Sequence, residues 1–443
     1  MTHKNYWIKN GLINVIQNFS GQLLGMLSFI LLVRVFSKED YGIWVIFLSI
    51  VNIIELSKNG FTQEATIKYL SSANRADKRR ITTASFVINI ILTIILCILL
   101  LLCSNLFVSL WKSTELVKML YISIIMFFIS GVLAQLNYAE QSNLSFRGNF
   151  YSFLTRQLLF FLFIGYCYIT HHELTLTALA IAQTVTVAIA TLVAYFLNKK
   201  YIRFTYRIDM GWVKKIFNFG KYTFGIGLTS VISGSIDQMM LGSMLSKAAS
   251  GSFNVAVRIT GFADIPITAM ASIVFPQSAL RMERDGVGAV KYLYERSVGV
   301  ILGILTPCVI LLFFFSDYLL FVMAGHKYDD ALPLLKITLL TCILYPYGRQ
   351  AGTVLASAGK VKHNFVLMII NVGILIILNY FFIKSFGVIG AAYATLISSI
   401  ISVILNQIVL YKLFKINVVN PWIYAVHFYG EFINLYIRKK RSS

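Results

Sequence analysis

The sequence predicts an all-α polytopic membrane protein with about twelve transmembrane helices in two six-helix lobes. Hydrophobic residues make up 58% and charged residues 13% of the 443 positions, which leaves too little polar surface for a water-soluble domain. Runs such as 81–102 and 298–315 are almost free of charge and reach the roughly 20 residues that cross a bilayer. Helices are expected because an isolated segment must satisfy its own backbone hydrogen bonds in lipid.

The apolar runs divide the chain into predicted spans. The first run is too long and too rich in polar residues for a cleavable signal peptide, so we expect it to remain as a membrane helix. All five cysteines lie inside or at the ends of apolar runs without a C-x-x-C pair, which favours buried thiols over a metal or redox site. The predicted spans are 12–36, 41–66, 81–103, 116–140, 150–170, 174–197, 219–245, 252–277, 294–316, 331–357, 362–383 and 387–411.

The net charge of +21 is distributed unevenly between the two sides of the predicted bundle. Basic residues concentrate in the 67–80 loop, in the 198–221 segment and in the C-terminal run 438–441, whereas the segments on the opposite side carry few. Since cytoplasmic loops carry the excess of lysine and arginine, both termini are predicted to be cytoplasmic. The charge therefore predicts topology rather than a nucleic-acid partner, and the short outer segments leave no room for a catalytic domain.

An internal repeat defines the predicted domains. The run SKEDYG at 37–42 is matched 209 residues later by SKAASG at 246–251. Because six spans per half is an even number, the halves should have the same orientation, be related by an axis along the membrane normal, and enclose a central cleft. The predicted domains are an N-terminal six-helix lobe (1–197), a basic cytoplasmic linker running into span seven (198–221), a C-terminal six-helix lobe (222–411) and a basic cytoplasmic tail with an interfacial helix (412–443).

Charged side chains at membrane depth mark the candidate substrate cavity, because a charge in hydrocarbon is costly. Arg258 and Asp264 belong to a polar stripe on span eight, and Glu55, near Lys58, occupies the place equivalent to Asp264 on span two. We expect these side chains to face a hydrated cavity. In the alternative interpretation they pair with neighbouring side chains and only hold helices together. The remaining candidates are Asp237 on span seven and Arg349 on span ten.

No group of residues matches a catalytic or cofactor-binding arrangement. The run HHE at 171–173 is interpreted as a solvated turn rather than a metal site, and no nucleotide-binding loop is present. We therefore predict no enzyme activity, no catalytic residue, no metal site and no cofactor.

Several runs, taken in order, resemble the pattern of one transporter family. SKEDYG at 37–42 is similar to a turn s-x-e-[ED]-[YF]-G, and FGVIGAA at 386–392 is similar to [FY]-G-x-x-G-A-A. DQMMLG at 237–242 followed by GSFNVAVRI at 251–259 is similar to D-x-x-x-[LI]-G … G-x-[YF]-x-x-A-x-[RK]-[IL]. The chain thus resembles bacterial polysaccharide flippases, the O-antigen and capsule branch of the multidrug, oligosaccharidyl-lipid and polysaccharide exporter superfamily.

This resemblance implies two six-helix lobes, alternating access, and movement of a polyprenyl-pyrophosphate-linked oligosaccharide from the inner to the outer leaflet of the bacterial cytoplasmic membrane. It also implies coupling to an H⁺ or Na⁺ gradient, for which carboxylates such as Glu55 and Asp264 are candidates. Arginine suits the pyrophosphate because its guanidinium forms bidentate bonds. The implied partners are this glycan carrier, membrane lipids, and a polysaccharide polymerase with its assembly proteins.

Three other functions are compatible with a membrane bundle. A multidrug cation antiporter of the same superfamily would need an acidic, aromatic cleft with few cations, and Arg258, Arg349 and Lys58 argue against it. A membrane-embedded glycosyltransferase or polysaccharide polymerase would need a large outer loop, which is absent from the predicted topology. A non-transporting scaffold would not need polar stripes inside the membrane.

Overall fold

The computed structural model describes residues 3–441 apart from 144, 203 and 206, so Arg203 of the predicted linker lies outside the described residues. The described chain is helical throughout and contains no strand. Short 3₁₀ turns occupy Gly261–Ala263 and His326–Ala331. The α-helices are α1 His3–Val35, α2 Lys38–Gly60, α3 Gln63–Ser72, α4 Arg75–Leu102, α5 Ser104–Trp111, α6 Thr114–Ser142, α7 Arg147–Ile169, α8 Leu176–Asn198, α9 Met210–Met244, α10 Lys247–Thr260, α11 Asp264–Asp285, α12 Val287–Phe314, α13 Ser316–Ala324, α14 Leu332–Cys342, α15 Tyr345–Ser357, α16 Val361–Phe386, α17 Val388–Phe414 and α18 Asn420–Arg441.

The helices confirm a polytopic α-helical membrane protein but not the number of twelve spans. Among the described residues, ten helices are long and apolar enough to cross a membrane, or eleven if the pair α14 and α15 is one bent span. The predicted seventh span, 219–245, coincides up to residue 244 with α9, a helix of 35 residues that is not among these ten. Its second half contains a run of serine, glycine and acidic or amide residues at 233–238, which lowers its hydropathy.

Polar side chains fix where several helices begin. At the start of α2 the Ser37 hydroxyl accepts a hydrogen bond from the backbone N–H of Asp40 at 3.0 Å. Asn74 does the same for Asp77 at the start of α4, at 2.8 Å. Each of these bonds satisfies one of the backbone donors that have no partner within the first turn. Such caps explain why short polar segments suffice to separate long apolar helices.

The described chain forms two compact units, of which the first contains residues 1–235 and 246–251. Within it α6 packs on α8, α4 and α2, and α1 packs on α7. The buried carboxylate of Glu140 at the end of α6 accepts hydrogen bonds from the backbone N–H groups of Gly148 and Asn149, at 2.8 and 2.7 Å. It also accepts one from the Asn198 amide at 3.2 Å. A negative charge at the N-terminus of α7 therefore joins the ends of α6, α7 and α8.

The predicted linker segment also packs on this first unit. The backbone N–H of Thr205 donates to the Thr83 hydroxyl at 3.0 Å, and the Thr83 hydroxyl donates to the Thr205 carbonyl at 3.2 Å. Further along, the ring of Trp212 in α9 lies 5.6 Å from that of Tyr69 in α3. The first part of α9 is thus anchored to α3 and α4.

The second unit contains residues 236–245 and 252–443. One cluster of buried side chains in this unit joins α12 to α15 and the end of α17 and includes Tyr294 and Tyr347. Helix α18 packs along α12, where Gly299 and Gly303 leave room for the backbone at Pro421 and for the side chain of Phe428. Small residues four positions apart permit this close approach.

A turn that resembles the family pattern has a steric explanation in this unit. Gly387, between α16 and α17, adopts φ +64°, a left-handed conformation that glycine reaches without cost. A Cβ atom on Gly390 would lie 2.0 Å from the carbonyl oxygen of Phe382. Only a chain without side chains at these two positions folds α17 back against α16 so tightly.

The repeated turns contact each other within the first unit. A Cβ atom on Gly42 would lie 1.8 Å from the carbonyl oxygen of Lys247, and one on Gly251 would lie 2.9 Å from that of Lys38. The two glycines are 209 residues apart, as are the two lysines, which is the offset of the sequence repeat. Each segment therefore presents its glycine to the lysine carbonyl of the other, a self-complementary contact between the starts of α2 and α10.

We expect Gly42→Ala to destabilise the protein, since the new methyl group would force the starts of α2 and α10 apart. The control is Gly25→Ala in α1, where no atom lies within 4 Å of the added Cβ. Alanine is favoured over glycine by about 0.5–1 kcal/mol within a helix, so the control should be neutral or slightly stabilised. Thermal unfolding of the purified proteins in detergent measures both. Equal melting temperatures for Gly42→Ala and Gly25→Ala would contradict the close contact.

Candidate functional site

A break near the middle of one membrane span in the second unit positions two of the predicted site residues. Span 247–275 consists of α10, the 3₁₀ turn Gly261–Ala263 and the start of α11. Pro266 has no N–H group, so it cannot donate to the carbonyl of Phe262, four residues earlier. Arg258 precedes the break, and Asp264 is the first residue of the helix that follows it.

A second broken span packs against the first. Helices α14 and α15 meet at an angle of 41°, and Pro346 at the start of α15 again removes a helical hydrogen bond. The Cys342 thiol lies 3.9 Å from the carbonyl oxygen of Thr260, and the amide of Gln350 donates to the carbonyl of Ile267 at 3.4 Å. The two breaks thus lie side by side, and side chains of one helix pair bond to backbone carbonyls of the other span.

Three charged side chains are exposed around these breaks. Arg258, Asp264 and Arg349 are all accessible, although they lie on helices that are predicted to cross the membrane. Asp264 and Arg349 interact electrostatically, and the charges of both Asp264 and Asp237 act on Tyr345. Within the described part of the chain no ion pair joins Arg258 to Asp264. Because an accessible charge facing hydrocarbon is costly, this group is expected to border water or a ligand.

Asp237 forms a separate buried site in the same unit. Its carboxylate accepts a hydrogen bond from the Asn379 amide in α16 and another from the Thr395 hydroxyl in α17, the latter at 3.2 Å. Asn379 is fully buried, and its amide oxygen has no hydrogen-bond partner among the described residues. Side chains of two further helices, α16 and α17, therefore donate hydrogen bonds to this one carboxylate of α9.

Glu55 and Lys58 come together in the first unit. Lys58 is fully buried, and its ammonium nitrogen lies 3.0 Å from Glu55 Oε1. The same ammonium donates to the Phe127 carbonyl and to the Ser130 hydroxyl, while the Ser130 hydroxyl donates to Glu55. The second carboxylate oxygen of Glu55 accepts from the Asn59 amide at 3.0 Å. Lys58 is thus a paired core cation, and Glu55, with 25% of its side chain exposed, is the accessible member.

A row of buried polar side chains continues from this pair between α2, α3, α4 and α6. The side-chain amide of Asn89 in α4 donates a hydrogen bond to the side-chain oxygen of Asn59 at 3.2 Å. The side-chain oxygen of Asn89 lies so close to Gly131 in α6 that a Cβ atom there would clash with it. Further along, the Thr66 hydroxyl donates to Ser85 at 2.6 Å, which donates to Gln135 at 2.9 Å. This polar network holds the four helices together inside an otherwise apolar unit.

The structure therefore sorts the predicted site residues into three places. Glu55 and Lys58 form one pair, and Asp237 has its own partners. Arg258 precedes and Asp264 follows the break in span 247–275, and Arg349 on the adjoining helix α15 interacts with Asp264. The sequence interpretation missed Asn379, Thr395, Ser130 and Asn89, which are single polar residues on apolar helices. The prolines at 266 and 346 are the signal that could have located the two breaks.

Comparisons with known proteins agree with this architecture. A family model described as "Polysaccharide biosynthesis protein" matches residues 31–333 of the chain. A probable low-salt glycan biosynthesis flippase, Agl15 of Haloferax volcanii, is 24% identical over 193 residues, which cover 44% of this chain and 41% of that protein. The chain thus matches less than half the length of this curated relative.

Two solved structures share the fold. The lipid II flippase MurJ in an inward closed conformation is 17% identical, with a TM-score of 0.76 over 96% of this chain and 92% of that one. An inward-facing multidrug resistance transporter of the MATE family in the MOP superfamily is 16% identical, with a TM-score of 0.73 over 89% of this chain and 96% of that one. The chain has the two-lobe transporter fold of these proteins.

We expect Glu55→Gln to destabilise the protein because it leaves the buried Lys58 ammonium without its counter-charge. Removing one partner of a buried pair costs about 3–5 kcal/mol, and the partial exposure of Glu55 puts the expected loss at the lower end. Adding Lys58→Met to Glu55→Gln should restore most of the stability, measured by thermal or denaturant unfolding in detergent.

The control for this experiment is Glu115→Gln, which breaks the exposed pair between Glu115 and Lys118. A surface pair contributes about 0–1 kcal/mol, so this variant should unfold like the wild type. If the double variant lost as much free energy of unfolding as the two single variants together, Glu55 and Lys58 would not act as a pair.

Proposed function

Because the chain belongs to the polysaccharide biosynthesis protein family, we propose that it is a flippase for a lipid-linked glycan. Its substrate is a polyprenyl-pyrophosphate-linked oligosaccharide, an O-antigen or capsule repeat unit, which it moves from the inner to the outer leaflet of the bacterial cytoplasmic membrane by alternating access. The glycan-flippase name of one relative and the MurJ-like fold support this proposal. The family match covers more than half of the chain and includes the broken span 247–275.

The accessible arginines at the two helix breaks carry the proposal. A pyrophosphate crossing hydrocarbon needs cationic partners in a hydrated space, and Arg258 and Arg349 are cations with accessible side chains on adjoining broken spans. Broken membrane helices supply free backbone groups next to a water-filled cavity, as substrate sites of transporters require. Asp264 interacts with Arg349, so it can hold that guanidinium in place when no substrate is bound.

The proposed topology places both termini and the basic linker in the cytoplasm, where the carrier-linked glycan is made. Excess lysine and arginine on that side supports the orientation. The substrate then enters from the cytoplasmic leaflet, and a polysaccharide polymerase with its assembly proteins receives it on the other side. The short connections between helices on the outer side support transport without catalysis by this chain.

Asp237 is the proposed site of the coupling ion. The carboxylate and the Thr395 hydroxyl are hard oxygen ligands of the kind that a small cation prefers, and rotation of the Asn379 amide would add its oxygen as a third. Either Na⁺ or a proton on Asp237 would then give that amide oxygen a partner, and the Na⁺ dependence of stability distinguishes the two ions. Glu55 remains the second candidate, since its carboxylate is partly accessible.

A multidrug cation antiporter is the alternative supported by the MATE-like fold. Such a protein has to bind an organic cation, and two arginines at the helix breaks would repel it. The buried Lys58 gives no such argument, because Glu55 neutralises it. Export of cationic dyes from cells that express the chain, in the absence of any effect on surface glycan, would favour this alternative.

We expect Arg258→Ala to reduce surface glycan about 10- to 100-fold without lowering the amount of folded protein. The magnitude corresponds to the loss of one charge-assisted interaction of about 1.5–3 kcal/mol. Arg258→Lys should recover only part of the activity, because lysine keeps the charge but not the planar fork. Glycan display and membrane protein level are measured together in cells whose own flippase gene is deleted.

The control is Arg281→Ala, which removes an exposed arginine near the cytoplasmic end of α11 and should leave glycan display unchanged. Loss of folded protein in Arg258→Ala would favour the helix-pairing interpretation of this arginine. Normal glycan display in both Arg258→Ala and Asp264→Ala would contradict the proposed site.

We expect NaCl to raise the melting temperature of the purified protein relative to choline chloride, and Asp237→Asn to abolish this rise. The reason is that only the folded site collects the three oxygen ligands, so a bound ion stabilises the native state. Asp317→Asn, which changes an exposed carboxylate on α13, serves as the control and should keep the Na⁺ effect. An unchanged Na⁺ effect in Asp237→Asn would place the ion elsewhere.

A further inference from the structure

An apolar groove of about 490 Å³ lies on the second unit, apart from the helix breaks. It is formed by the last turns of α17 and by the segment 416–418 that follows this helix. Its walls include the side chains of Val403, Ile404, Ile408 and Val418. The volume falls within the range of about 300–1,000 Å³ that ligand sites in proteins occupy.

The floor of the groove is held rigidly. The Gln407 amide donates to the carbonyl of Ile416 at 2.7 Å, which folds the segment back on α17. The buried carboxylate of Glu295 in α12 accepts from the backbone N–H of Asn417 at 2.8 Å and from the Asn420 amide at 2.9 Å. These bonds link the segment to two helices, so the groove is preformed.

The groove is amphipathic along its length. Lys412 lines one end, and the ammonium of Lys415 lies 5.3 Å from the centre of the Tyr411 ring, which also lines the groove. Val403 lies nine residues before Lys412, or roughly 13 Å deeper at about 1.5 Å per residue. That depth is close to half of the ~30 Å hydrocarbon thickness. The cations therefore stand where lipid headgroups lie, and the apolar walls reach into one leaflet.

We propose that this groove binds one anionic phospholipid, with an acyl chain along Ile404 and Ile408 and the phosphate between Lys412 and Lys415. An apolar channel with two cations at its outer end is complementary to a lipid that has a long chain and a negative headgroup. A soluble anion would gain nothing from the apolar walls, and a zwitterionic lipid would gain less from the two lysines. Because the proposed topology places the end of α17 in the cytoplasm, the bound lipid belongs to the cytoplasmic leaflet. The binding of this lipid does not depend on which substrate the protein transports.

The test uses the full chain purified in detergent, with phosphatidylglycerol or phosphatidylcholine added. We expect phosphatidylglycerol to remain bound to the protein in native mass spectrometry and to raise its melting temperature by several degrees. Phosphatidylcholine should bind weakly and raise the melting temperature less. Ile404→Trp should abolish both effects because the indole fills the groove. Ile377→Trp, at a similarly exposed position on α16, is the matched control and should keep both.

The double variant Lys412→Ala with Lys415→Ala replaces exposed side chains, so it is expected to fold even if the tryptophan variant does not. It should bind the two phospholipids equally and weakly. A preference for phosphatidylglycerol that survives in this variant would overturn the assignment of the headgroup. Displacement of phosphatidylglycerol by a lower concentration of a polyprenyl phosphate would instead identify the groove as a site for the glycan carrier.

Discussion

The architecture depends on one constraint, which is that hydrocarbon offers no hydrogen bonds to a polar group. Each charge or free carbonyl on a membrane span must therefore be paired inside the protein or must border water. Lys58 satisfies the first condition, since a carboxylate, a hydroxyl and a carbonyl surround its ammonium. Arg258 and Arg349 have exposed side chains, so they meet the second condition only if the helix breaks border water, and this exposure supports the proposed hydrated site.

The same constraint explains why equivalent positions of the repeat have different roles. Glu55 and Asp264 are separated by the 209-residue offset, yet Glu55 lies in a continuous helix with a lysine three residues later. Asp264 instead begins a new helix after a break, where no lysine or arginine follows within one turn. A carboxylate that has a local partner contributes to the core, whereas one at a helix break is available to a distant arginine. The two positions therefore differ in chemistry, while Gly42 and Gly251, at the same offset, make related contacts.

Features that depend on local sequence could be predicted, and features that depend on distant contacts could not. Hydropathy located the membrane helices, because a span needs only its own residues to satisfy its backbone. The number of spans differs from the predicted twelve, since α9 is helical but not apolar enough to count among the ten, and its first part packs on α3. The partners of Asp237 lie 142 and 158 residues away, and no local pattern connects them. Asp237 itself could be predicted as a candidate, because a carboxylate is conspicuous within a largely apolar segment.

The distribution of polar groups suggests a division of roles between the two units. In the first unit the polar side chains between α2, α3, α4 and α6 form hydrogen bonds with one another, from Glu55 and Asn89 to Ser85 and Gln135. Such a network resists rearrangement, because moving one member would leave its partner unsatisfied. In the second unit, one span is broken at Gly261–Ala263, α14 and α15 meet at a bend, and Arg258 and Arg349 are exposed. Under the proposed function these exposed arginines at the helix breaks supply the substrate contacts, so substrate binding would act on the second unit.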